Sequence, residues 1–341
     1  AGAAYAAPAG GAALPPFPLF PGADDAVARW ARLAPGRAAL VDDARDAVTT
    51  YAALDALAER WAAALAVRGA RPGDRIALLA ATSAECVALF HACLRLGAAL
   101  VPLNWRLAPP ELARVLDDAR PAACVVDARH APLLDAARAL ARGATGDVLP
   151  LDADALDARD ARRAFPGGDA ETPTMILYTS GSTGAPKGVV LPRRQLLYNA
   201  VATTTAWELG AGDVAPVSTP LFHTGEWHVL LTPLLHVGGT VVLADGFDPA
   251  RFVAMLRERA CTIAFGVPTQ LAMLAATDGW GTPLPRLRRL VSGGAPCPPS
   301  VRRLVREAGY GFREGYGLTE CGPNCFAIDD ATADAAPGSV G

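Results

Sequence analysis

Lysine is nearly absent from this 341-residue chain. Lys187 is the only one, and arginine supplies the rest of the 31 basic residues. Set against 34 Asp and Glu, they leave a formal net charge of -3, without the basic footprint that nucleic acid demands. The arginine preference, and the weight of alanine in a 52% hydrophobic chain, read as compositional bias and carry no function. C-x-x-C is missing although there are seven cysteines. Cys321 and Cys325 stand four apart, but no His or second Cys pair completes a metal set. The cysteines are therefore expected as buried thiols in a reducing compartment. No transmembrane segment is evident. The longest apolar stretch, from Ile76 to Leu103, contains Glu85, His91 and Arg95 and reads as strand–helix–strand. The Ala/Gly/Pro-rich residues 1–22 have no basic start of a signal peptide, are expected to be a flexible segment, and point to a cytoplasmic protein.

What is present is alternation. Strands are expected at 75–81, 99–103, 122–126 and 147–151, with helices between them at 84–96, 110–119 and 132–142. A second series follows, with strands at 214–218, 240–243, 262–265, 287–291 and 311–314 and helices at 194–208, 227–236, 249–259, 268–275 and 299–308. Helices of this length between strands imply right-handed parallel crossovers. The expected fold class is α/β, with two doubly wound, mostly parallel sheets and flanking helices. One unit would span 23–172 and the other 173–341. In such sheets ligands sit beyond the carboxyl ends of the strands.

Between the two series lies Tyr178-Thr179-Ser180-Gly181-Ser182-Thr183-Gly184-Ala185-Pro186-Lys187-Gly188, flanked by the apolar runs Met175-Ile176-Leu177 and Val189-Val190-Leu191. Glycines let the backbone curl so that its N–H groups converge on an anion, and the hydroxyls add donors. Lys187 adds a full charge. The pattern suits polyphosphate. It is not a Walker-type loop, because Lys187 is preceded by Pro186 and followed by Gly188.

A second segment, Gly315-Tyr316-Gly317-Leu318-Thr319-Glu320, follows the last expected strand. Tyr316 between glycines can present its ring to a base, and Thr319 offers a hydroxyl to a phosphate. Glu320 is a hard oxygen ligand suited to Mg²⁺ bridged to phosphates. Gly293-Gly294-Ala295-Pro296, Gly266-Val267-Pro268 and Phe222-His223-Thr224-Gly225-Glu226-Trp227 also stand at expected strand ends.

Taken together, these segments resemble the signatures of the adenylate-forming superfamily, which includes acyl-CoA synthetases, aryl-CoA ligases, luciferases and peptide-synthetase adenylation domains. The resemblance runs from about residue 24 to the end and implies ATP-dependent activation of a carboxylic acid as acyl-AMP, then thioester formation with coenzyme A. On that resemblance, Thr179, Ser180, Gly181, Ser182, Thr183, Gly184 and Lys187 would hold the ATP phosphates. Gly293, Gly294, Ala295, Pro296, Gly315, Tyr316 and Gly317 would frame the adenine. Lys187, Thr319, Glu320 and His223 would be catalytic, and Glu320 with Thr179 would hold Mg²⁺. Phe222, His223, Trp227, Val267, Gly293 and Leu318 would line the acyl pocket.

Amino-acid-activating relatives usually carry Asp where this chain has His223, which argues for a fatty or aryl acid without an α-amine. Glu226 stands where many acyl-CoA synthetases have a second glycine. A carboxylate in an acyl tunnel is costly unless paired, so Glu226 is expected in the first turn of the next helix, facing its dipole. The segment 336–341 resembles the opening of a further family motif, and the chain alone is expected to bind ATP and acid yet turn over poorly. Transfer to the phosphopantetheine arm of a carrier protein is the alternative reaction, and a non-catalytic nucleotide- or acyl-binding remnant the alternative of another class. A homodimer is compatible with the resemblance.

Overall fold

The sheets sort strands from both halves of the sequence together. In chain order the strands are β1 (Ala38–Asp42), β2 (Ala47–Thr50), β3 (Arg75–Leu79), β4 (Ala99–Pro102), β5 (Ala123–Val126), β6 (Asp147–Pro150), β7 (Pro173–Ser180), β8 (Pro186–Pro192), β9 (Val214–Val217), β10 (Thr240–Leu243), β11 (Ile263–Gly266), β12 (Arg289–Ser292) and β13 (Gly311–Glu314). This computed structural model describes residues 25–155, 165, 167–180, 186–326, 328, 330–336 and 339–340. One sheet has the order β6-β5-β3-β4-β7-β8, parallel except for β8, which returns antiparallel to β7. A second has the order β2-β1-β10-β9 and a third β11-β12-β13. The last two meet where the Thr262 N–H donates to the Val214 carbonyl at 2.8 Å and the Val214 N–H donates to Thr262 Oγ1 at 3.1 Å.

The α/β architecture with parallel sheets is as expected. The lateral arrangement differs from the sequence reading, since residue 172 is not a sheet boundary. β7 and β8 complete the sheet begun by β3 to β6, and the β1–β2 hairpin pairs with β10. Periodicity identifies strands but not their lateral neighbours, which are settled by long-range pairing.

Local chemistry fixes the helix ends. Thr50 Oγ1 accepts the Ala53 N–H at 3.2 Å and starts the helix Tyr51–Val67. Gly97, at φ 71, ends the helix Ala84–Leu96. That helix is buried almost throughout, and Phe90, Trp61 and Trp227 share one core with strands of both larger sheets. Fully burying a side chain such as Phe90 contributes about 1.5–3 kcal/mol. The helix expected over 227–236 takes another form. Glu226–Leu231 is π-helical and runs into the α-helix Thr232–Val237. Pro233 lies one residue inside that α-helix. A proline there has no N–H for the i−4 ladder, and a wider turn before it accommodates the loss.

Candidate nucleotide and acid site

Register builds the site first. In the three-stranded sheet Gly266 lies opposite Ser292, and Ser292 opposite Glu314. The residues that follow, Val267, Gly293 and Gly315, therefore leave the sheet side by side. The Gly315 N–H donates to the Ser292 carbonyl at 2.7 Å. A Cβ on Gly293 would stand 3.2 Å from the Phe265 ring and 3.4 Å from the Gly315 carbonyl, so a bare Gly293 lets the Phe265 ring sit close without shifting. Beneath them Glu314 ties the layer together, accepting from the Cys297 N–H at 2.7 Å and from Arg302 at 2.8 Å.

Beyond Gly315 the chain makes a tight reversal. Leu318 and Gly322 exchange backbone hydrogen bonds, and the Cys325 N–H donates to the Tyr316 carbonyl at 2.9 Å. Gly317 sits where a Cβ would fall 2.2 Å from the Pro323 carbonyl carbon, which no side chain could tolerate. Tyr316 is 47% exposed and leans on Phe326 at 5.8 Å, leaving ring surface open to a stacking partner. Glu320 is exposed. Leu318, expected in the acyl pocket, is 49% exposed on this turn.

The described ends of the Ser/Thr/Gly-rich segment are paired antiparallel strands. Thr179 pairs with Lys187 and Ser180 with Pro186 across β7 and β8. Thr179 and Lys187, assigned from the sequence to opposite ends of one phosphate loop, are thus cross-strand neighbours. Gly181, Ser182, Thr183 and Gly184 lie outside the described residues. The helix Arg193–Ala206 follows β8 directly, and its Gln195 donates to the Thr319 carbonyl at 3.4 Å. This contact joins the hairpin's own continuation to the Tyr316–Glu320 turn.

Phe222 and His223 stand between two clefts. One, of about 430 Å³, is lined by Leu103, Tyr178, Thr179, Pro186, Phe222 and His223. The other, of about 500 Å³, is lined by Trp105, Arg106, His130, His223 and Val267 among others. The Phe222 ring meets Trp105 edge-on at 5.9 Å and lies 4.5 Å from the His223 ring. The Arg106 guanidinium caps both Trp105, at 5.1 Å, and Phe222, at 5.9 Å. Burial, with the Arg106 charge nearby, lowers the His223 pKa, favouring an uncharged imidazole that can accept a hydrogen bond. Trp105 and Arg106 were not singled out from the sequence. Their position just beyond β4 is the signal that finds them, since strand ends of a parallel sheet face the ligand.

One expectation near this wall needs revision. Trp227 is fully buried in the core, against Phe90 at 5.1 Å, with its indole N–H donating to the Leu221 carbonyl. It is not among the residues lining the two clefts. Glu226 begins the helical turn, as expected, and its side chain is buried there. Its carboxyl accepts the Thr219 N–H at 3.2 Å, and burial pushes its pKa up to about 8. A small cavity bounded by Ser218, Gly225, Glu226 and Phe265 lies beside it. Local sequence places Glu226 on the turn but cannot show which side of that turn is covered.

These features define a doubly wound α/β protein with its ligand clefts at the carboxyl ends of parallel strands. The chain belongs to the AMP-binding enzyme family, whose profile matches residues 27–341. It is 35% identical over 293 residues to a feruloyl-CoA synthase of Amycolatopsis sp, covering 86% of this chain and 58% of that protein. It is 38% identical over 325 residues to an indoleacetate–CoA ligase of Aromatoleum aromaticum, covering 92% of this chain and 63% of that protein. The chain thus spans about three fifths of the length of these relatives. In structure it resembles the N-terminal domain of FACL13 from Mycobacterium tuberculosis, with a TM-score of 0.87 at 29% identity over 94% of this chain and 81% of that one. ATP-bound MatB from Rhodopseudomonas palustris also resembles it, with a TM-score of 0.75 at 28% identity over 86% of this chain and 60% of that one.

Proposed function

We infer that the enzyme to which this chain belongs activates a carboxylic acid with ATP, forming acyl-AMP and pyrophosphate, and passes the acyl group to coenzyme A. One observation carries the reading. Thr179, from the phosphate-binding hairpin, and Phe222 with His223, from the acid wall, line the same cleft. A carboxylate held there lies beside the triphosphate it must attack, and the protein's task in such transfers is positioning together with charge stabilisation.

The roles are those that the family resemblance suggests. The hairpin residues Thr179, Ser180 and Lys187, with 181–184, hold the β- and γ-phosphates. Thr319 contacts the α-phosphate, where the acid's oxygen attacks, and Tyr316 stacks on the adenine beside Gly293, Gly294, Ala295 and Pro296. His223, uncharged, accepts a hydrogen bond or orients the acid. Glu320 and Thr179 are the ligands assigned to Mg²⁺, which when bound offsets phosphate charge. Among the described residues no group of three or more His, Cys, Asp or Glu could hold a metal ion alone.

The wall of Trp105, Phe222 and His223 suits an aryl acid without an α-amine better than a bare alkyl chain. Coenzyme A is the acceptor by likeness to relatives named for it. A fatty acid–[acyl-carrier-protein] ligase of Streptomyces coeruleorubidus, 32% identical over 83% of this chain, makes the acceptor worth measuring directly. With the whole enzyme, aryl acids are expected to drive exchange of pyrophosphate into ATP, and coenzyme A to release thioester. ATP binding without exchange, across a panel of aryl and fatty acids, would overturn the assignment and leave a binding module.

A further inference from the structure

Cys321 and Cys325 were expected to be buried, but both are exposed, and their Sγ atoms stand 2.9 Å apart. The other five cysteines are buried. The pair flanks Gly322-Pro323-Asn324 and begins one residue after Glu320. We propose that Cys321 and Cys325 form a redox-active dithiol that closes to a disulfide and thereby alters the Thr319–Glu320 turn. The consequence for nucleotide rests on the function proposed above. The bond itself does not.

The two ends of the pair are not equally held. The Cys325 N–H is bound to the Tyr316 carbonyl at 2.9 Å, and its Sγ–H donates to the Gly322 carbonyl at 3.0 Å. The adjacent Asn324 amide donates to Thr203 Oγ1 at 2.7 Å and to the His228 carbonyl at 3.3 Å. The Cys321 Sγ is held more loosely, 4.0 Å from the same Gly322 carbonyl. A disulfide requires the sulfurs to close by roughly 0.9 Å, and the better anchored Cys325 leaves that movement to Cys321 and so to Glu320. Burial and the neighbouring thiol raise the Cys325 pKa, which suits a second, resolving thiol.

The chemistry needs an oxidant, and a low-molecular-weight disulfide such as glutathione disulfide supplies it. The Cys321 thiolate attacks one sulfur of that disulfide, forming a mixed disulfide and expelling one thiolate. The Cys325 thiol then loses its proton and attacks the Cys321 sulfur, forming the intramolecular S–S bond and expelling the second thiolate. The protein pair loses two electrons and two protons, and the small disulfide gains them as two thiols.

The test treats the chain with glutathione disulfide, alkylates residual thiols and digests with trypsin. No Lys or Arg lies between Cys321 and Cys325, so both fall in one peptide, expected two hydrogens lighter than its reduced form. The Kd for ATP with Mg²⁺ is expected to rise several-fold on oxidation and to recover with reductant. Cys325→Ser should keep the reduced affinity and lose the response. Two cysteines that remain fully alkylated would overturn the proposal, and so would a closed disulfide with unchanged affinity. If neither redox form binds ATP, the functional reading fails, and the peptide mass alone decides the thiol pair.

Discussion

Glu226 offers a quantitative check on the surroundings of the turn behind Phe222 and His223. Its carboxyl is buried, with one backbone N–H as its recorded partner, and its pKa is raised from 4.5 to about 8. Between those values the folded protein keeps a proton that the unfolded chain has released. Stability contributed by this group is therefore fully present below pH 4.5 and is lost as pH rises through the folded pKa near 8. At 1.36 kcal/mol per unit, the full window corresponds to a loss on the order of 5 kcal/mol. Glu226→Gln removes the titration, keeps an acceptor for Thr219 and nearly preserves volume. The variant should match the parent near pH 4.5 and exceed it progressively to about pH 8, with the difference flat above. Urea midpoints measured for both proteins across this range give the result directly. Burial pushes His228 and His236 down to about 3 and about 4, so they cost stability as the solution is acidified. They are common to both proteins and cancel in the difference. Parallel curves for parent and variant would refute the buried, protonated carboxyl.

Gly317→Ala places a methyl 2.2 Å from the backbone of Pro323. It should cost at least tenfold in ATP affinity by calorimetry while the circular dichroism of the sheets stays unchanged. Glu314→Ala removes the acceptor shared by Arg302 and the Cys297 N–H and should lower stability by about 3 kcal/mol, read as a shifted urea midpoint. His223→Ala should slow acid-dependent pyrophosphate exchange by about 10²-fold and leave the Kd for ATP within twofold. Equal losses in both would place His223 in nucleotide binding.

The sequence made the repeating units legible because each is specified locally. The strands Thr240–Leu243 and Gly311–Glu314 and the helices Ala84–Leu96 and Pro268–Ala275 have the expected bounds. Gly97 and the prolines explain that, since breakers act within a turn of their own position. The segments after Gly266, Ser292 and Glu314 were also found at strand ends, where the parallel register sets them side by side. What local pattern could not carry was lateral order. Nothing near Ala38 announces that its strand pairs with one two hundred residues on. The burial of Glu226 and Trp227 was hidden for a related reason. Every residue from Glu226 to Leu231 is buried, and that follows from what packs around the turn, which its own sequence does not state. The exposure of Cys321 and Cys325 went unread because cysteine composition suggests an average and says nothing of a single turn.

The β7–β8 hairpin has one further property. A protease specific for lysine has a single target bond in the whole chain, between Lys187 and Gly188. That bond is inside the ladder, with Gly188 paired to Tyr178 and Lys187 to Thr179. An extended segment held in a sheet is cut only when it opens, so the appearance of two fragments reports the openings, local or global, that free this hairpin. A ligand that closes on the hairpin should delay that appearance, making one proteolytic band a footprint of occupancy that needs no label and no turnover.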